Sequence, residues 1–118
     1  MATSRRQLRR SRRVAPRHGS TQIRVHDPAV TTLTDITPPK ARVHVRGELD
    51  LATRHLLTEP LNRATTAGCR DISLDLGGVT FMDAGTLRAI IELDHRLTGA
   101  DGTLTVIHAS DSVRRWAD

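Results

Sequence analysis

Ile72-Ser73-Leu74-Asp75-Leu76-Gly77-Gly78-Val79-Thr80-Phe81-Met82-Asp83-Ala84-Gly85-Thr86-Leu87 is the stretch on which the fold turns. Its first five residues alternate apolar and polar, which is the period of a strand with one buried face. Gly77-Gly78 is expected to end that strand. Asp83 then supplies an N-cap for a helix running to about Thr98, with Leu87, Ile90, Ile91 and Leu97 as its apolar stripe and Gly99 closing it. Phe81 and Met82 stand as an exposed apolar pair just before the helix.

Upstream, Thr53 to Ala67 repeats the helical spacing through Leu57, Leu61 and Ala64, with Thr53 as N-cap and Gly68 as the stop. Pro60 lies inside it, where a missing N–H and a ring clash cost about 3 kcal/mol, so a kink or two helical pieces are expected. Before that helix, Val43 and Val45 alternate with Arg42, His44 and Arg46 in a half-buried strand ending at Gly47. Thr37-Pro38-Pro39-Lys40 breaks the chain, because neither proline donates to a ladder. Either Thr21 to Val25 or Val30 to Ile36 serves as a first strand. Downstream, Leu104 to Ile107 is a last strand, and Asp111 or Ser112 opens a short helix. Strands separated by helices need right-handed crossovers, which give a largely parallel sheet covered by helices. The expected fold class is a small α/β domain.

The chain has 118 residues, enough for one core, and that core is aliphatic because aromatic residues make up only 2%. Stacking platforms for nucleic-acid bases are thereby excluded. No apolar run approaches the roughly 20 residues of a membrane span, and the arginine-rich start lacks the apolar stretch of a secretory signal. A cytoplasmic protein is expected. The single cysteine, Cys69, agrees with a reducing compartment. The net charge of +5 divides unevenly: seven arginines in the first 18 residues carry +7, and the remaining 11 basic and 13 acidic residues leave −2. Residues 1–19 form an expected disordered basic tail, which can meet phosphates of nucleic acid or anionic lipid, ahead of a domain at 20–118 that makes no direct nucleic-acid contact.

No enzyme template is filled. Gly77-Gly78 has neither Rossmann spacing nor a P-loop lysine, and the six histidines show no pair at helical ligand spacing, so neither cofactor nor metal is expected. Two loops stand out instead. Arg46 to Thr53 sets Gly47, Glu48 and Asp50 between a strand and a helix, and the stretch through Met82 and Asp83 ends at a helix start. On spacing alone these are turn and capping residues.

The Gly-Glu-Leu-Asp-Leu-Ala-Thr stretch at 47–53 and the Leu-Asp-Leu-Gly-Gly-Val-Thr-Phe-Met-Asp stretch at 74–83 closely resemble the STAS domain of anti-sigma factor antagonists, over roughly residues 41–118. The resemblance implies a small mixed sheet with helices packed against it and a non-enzymatic role in regulating sigma-dependent transcription in a bacterium. It implies as partner an anti-sigma factor with a histidine-kinase-like ATPase fold, which phosphorylates a serine just after the aspartate matched by Asp83. The matching residue is Ala84, so that switch is missing. Where the family usually continues Ser-Gly-Leu, this chain has Gly85-Thr86-Leu87, and the Thr86 hydroxyl is two positions late. The implied docking residues are Gly47, Glu48, Asp50, Met82, Asp83, Ala84, Gly85, Thr86 and Leu87. The final helix ends earlier than the family pattern, which leaves Trp116 as an exposed anchor candidate. The alternative role is a scaffold or ligand-sensing subunit of a signalling or transport assembly.

Overall fold

The computed structural model describes residues 20–109. The expected disordered tail at 1–19, the final helix from Asp111 or Ser112, and Trp116 lie outside the described residues. Five strands and two helices follow in the order β1 (Thr21–His26), β2 (Val30–Thr37), β3 (Lys40–Leu49), α1 (His55–Thr66), β4 (Asp71–Met82), α2 (Ala84–Gly99) and β5 (Thr103–Ile107). Both candidate first strands therefore form. They pair with each other, and Pro38-Pro39 is the tight turn that returns β2 into β3.

One sheet holds the strands in sequence order. The pairings β1·β2 and β2·β3 are antiparallel, and β3·β4 and β4·β5 are parallel. The sheet is thus mixed, as the family resemblance implied, and only half parallel, because two short hairpins precede the helical crossovers. Both crossovers step in the same direction along the sheet. Right-handed connections then put α1 and α2 on one face. That face is the core. Ala41 and Val43 of β3 lie in register beside Ile72 and Leu74 of β4, Val45 and Leu76 are buried at the bulge that follows, and Leu57, Leu61, Ala64, Ile90, Leu93 and Leu97 close over them. Residue Leu93 completes the stripe of α2, whereas Ile91, expected within it, is exposed.

Two further expectations need correction. Of the two outcomes expected at Pro60, a kink or two helical pieces, the division into two pieces does not occur: α1 runs as one helix with the proline buried. Packing of that ring offsets the hydrogen bond it cannot donate. Nor does Gly77-Gly78 end β4, which continues to Met82. Register shifts between His44 and Arg46, and between Gly47 and Glu48, each insert an extra residue into β4. Each bulge resets which side chains face inward, so Leu76, Val79 and Met82, spaced by three, are all buried. Met82 is 0% exposed and is not half of an exposed pair; Phe81 alone is, at 44%.

Candidate functional site

The strand β3 likewise runs past Gly47 to Leu49. Gly47 has φ +113, and a Cβ there would stand 2.0 Å from the carbonyl oxygen of Ala29. Only glycine lets the β1–β2 loop approach so closely, and the Glu48 amide donates to the same oxygen at 3.2 Å. The turn that follows is built on Asp50. Its Oδ1 accepts from the Ala52 and Thr53 amides at 3.0 and 3.1 Å, while the Thr53 hydroxyl donates to the Glu48 carbonyl at 2.8 Å. Thr53 is therefore a turn-closing residue and not the N-cap of α1, a position taken by Arg54 without a side-chain cap bond.

Asp83 caps α2 as expected, its Oδ1 accepting from the Thr86 amide at 2.8 Å. The two loops are tied to each other. The Asp83 amide donates to the Leu49 carbonyl at 3.0 Å, and Arg54 reaches across from α1 to donate to Asp83 Oδ2 and Thr86 Oγ1, both at 3.2 Å. Hydrogen bonds from the Thr86 side chain and amide hold the Asp83 carboxyl below its ordinary range; Arg54 adds to this and burial opposes it. Gly85 lies beneath the guanidinium, and a Cβ there would stand 2.2 Å from Arg54 Nη2 and push the end of that side chain aside.

This geometry separates the residues implied for docking into two groups. Glu48, Asp50 and Ala84 are exposed, and Gly47, Asp83, Gly85 and Leu87 are half-buried. Met82 and Thr86 are fully buried, so neither presents a side chain to a partner. The Thr86 hydroxyl is enclosed and bonded to Arg54, out of reach of a phosphate donor. Sequence reasoning missed Leu51, 78% exposed at the tip of the Asp50 turn, and Arg54, which joins the loops. Leu51 left a signal in the sequence, an apolar residue inside a turn motif. Arg54 left none, because its partners lie 29 and 32 residues away. Among the described residues no group of three or more His, Cys, Asp or Glu side chains is placed to hold a metal ion, and no helix is long and apolar enough to cross a membrane.

The family described as "Mlab, STAS domain" matches residues 32–118. No curated protein matches the chain. Among solved structures, the fold is similar to an anti-sigma factor antagonist from Mycobacterium paratuberculosis, at 23% identity and TM-score 0.66, covering 77% of this chain and 78% of that one. It is similar also to the phosphorylated form of the Bacillus cell fate determinant SpoIIAA, at 14% identity and TM-score 0.58, covering 80% and 78%. A third likeness is to an antisigma-factor antagonist STAS domain from Rhodobacter sphaeroides, at 10% identity and TM-score 0.56, covering 72% and 96%. At these identities the likeness is one of fold.

Proposed function

The chain belongs to the STAS domain family, and from that premise we propose that it is a non-enzymatic, cytoplasmic docking protein of the anti-sigma antagonist kind. Its partner is an anti-sigma factor with a histidine-kinase-like ATPase fold, and its docking rim is the 47–53 turn together with the start of α2. The observation that carries this reading is the coupling of the two loops by the Asp83–Leu49 backbone bond and the Arg54 bridge. A rim held this way meets a partner without first paying to order itself. Leu51 and Phe81 give it apolar area, Glu48 and Asp50 give it acidic character, and Ala84 stands exposed in the first turn of α2.

Release by phosphorylation is absent in this reading. A phosphate adds about −1.5 to −2 charges, and the rim has no accessible hydroxyl at the relevant place, with alanine at 84 and Thr86 enclosed. Antagonism is then constitutive and set by the amount of protein. Titration calorimetry of Ala84→Asp against the candidate anti-sigma factor tests the rim. Binding is expected to weaken by tenfold or more, because an unpaired charge buried in an interface costs on the order of 3 kcal/mol. Circular dichroism is expected to show the fold retained, since an acid in the first turn suits the helix dipole. Ala84→Ser is expected to bind like the parent and to accept phosphate from a cognate kinase, whereas the parent gains no mass. Undiminished binding by folded Ala84→Asp would move the scaffold or ligand-sensing role ahead.

A further inference from the structure

The sheet face opposite the helices holds a second group of side chains that the docking rim does not use. Asp75 of β4 stands between His44 of β3 and His108 at the end of β5, with its Oδ2 at 3.2 Å from His44 Nδ1 and 3.1 Å from His108 Nδ1. Its Oδ1 accepts from the Gly77 amide at 2.9 Å. Burial works against the Asp75 carboxylate, yet the Gly77 amide and the two imidazoles prevail and hold it below its ordinary range. Both oxygens are engaged inward. Each ring is held through Nδ1, which leaves Nε2 without a partner among the described residues.

The glycine pair that failed to end β4 has its reason here. A Cβ at Gly77 would lie 3.0 Å from the His108 carbonyl oxygen, and one at Gly78 would lie 2.6 Å from Arg46 Cγ. Glycine inside a strand weakens it and marks a close approach. Here it seats His108 and Arg46 against the sheet, around an open depression of about 380 Å³ lined by His44, Arg46, Asp75 and His108. Arg46 is exposed, and its guanidinium has no ion-pair partner among the described residues.

We propose that this depression is a proton-gated site for a phosphate-class anion, bound by the Arg46 guanidinium and by His44 and His108 when both rings are protonated. A neutral ring whose Nδ1–H points at a carboxylate offers a lone pair at Nε2, which repels an anion. A protonated ring offers an N–H donor there instead. Asp75 fixes the orientation of both rings. With the rings neutral, the charges of Arg46 and Asp75 cancel; with both protonated, the depression gains two positive charges. The other titratable and charged groups on this face are Arg24 and His26 of β1, Asp35 of β2, Lys40, Arg42 and Glu48 of β3 and Asp71 of β4, with Asp35 in register with Arg42 and Asp71 with Lys40. They do not reverse the sign of the gate.

Sulfate keeps its charge between pH 5.5 and 7.5 and so isolates the titration of the protein. Histidine side-chain NMR of the full chain, titrated with sulfate at constant ionic strength, is expected to show saturable shifts of His44 and His108 at pH 5.5. The affinity is expected to be at least tenfold weaker at pH 7.5. His55 and His95, on α1 and α2 away from this face, serve as internal controls and are expected not to shift. Arg46→Ala is expected to weaken sulfate binding about tenfold at pH 5.5 with thermal unfolding unchanged. Repeating the comparison with glycerol phosphate and with phosphatidic acid vesicles tells a soluble phosphate from a lipid headgroup, according to which probe responds to Arg46→Ala. Unsaturable shifts, equal affinity at the two pH values, equal shifts at His55 and His95, or indifference to Arg46→Ala would each overturn the proposal.

Discussion

The two faces of the sheet are made by alternate residues of the same strands, yet one is sealed and the other is chemically open. On the helix side Val43, Val45, Ile72 and Leu74 are fully enclosed. Between them in sequence, Arg42, His44, Ser73 and Asp75 face the other way, where no described element covers them. The comparison teaches that stability and interaction are divided by strand parity. Over Ile72 to Asp75, ahead of the bulges in β4, a step of one residue moves from the sealed face to the open one.

The largest expected effect breaks the sealed face. Leu74→Ala is expected to lower stability by about 2–5 kcal/mol, since the void cannot collapse in a packed interior, whereas its neighbour Ser73→Ala is expected to stay within about 0.5 kcal/mol. Urea unfolding of the pair measures both. Similar losses for the two would show that parity does not divide the sheet.

A smaller effect is expected at the rim where the faces end. Asp83→Ala removes the cap of α2 and the partner of Arg54, with an expected loss of about 1–2 kcal/mol. The pH dependence follows from the depressed carboxyls of Asp83 and Asp75. Each contributes stability that is full above the ordinary carboxylate range of about 4 and is lost as pH falls through its lower folded value. The parent is therefore expected to lose stability on acidification below about pH 4, and Asp83→Ala to lose less. Thermal melts across pH 2–6 check the slope.

The smallest effect sharpens the comparison from inside the sealed face. Thr32 and Thr34 of β2 point into it, and their hydroxyls are buried without a hydrogen-bond partner among the described residues. Thr34→Val keeps the shape and removes an unpaired polar group, so a gain of about 1 kcal/mol is expected. A loss measured by denaturant unfolding would mean that this hydroxyl is satisfied.

Much of this architecture was legible in the order of residues. Strict alternation at 72–76, helical spacing at Leu57, Leu61 and Ala64, Asp83 as a cap and Gly68 as a stop all stand as expected. Local signals of this kind work because the side-chain period and the capping bond are both settled within a few residues. The two misplaced strand ends share one cause. Gly47 and Gly77-Gly78 resemble strand ends locally, but their missing side chains answer to Ala29, His108 and Arg46, which are distant in sequence.

The sequence by itself determined the class of fold, the family resemblance and the loss of a hydroxyl at position 84, because each rests on residue type and short-range spacing. Only the tertiary structure decided that Met82 and Thr86 are buried, that Arg54 ties the two loops together, and that Asp75 gathers two histidines. Those facts depend on bulges and on contacts across about 30 residues of chain, from 29 to 33 in the Arg54 and Asp75 bonds. No local period encodes which residues meet over such distances, since packing chooses them only once the strands lie side by side.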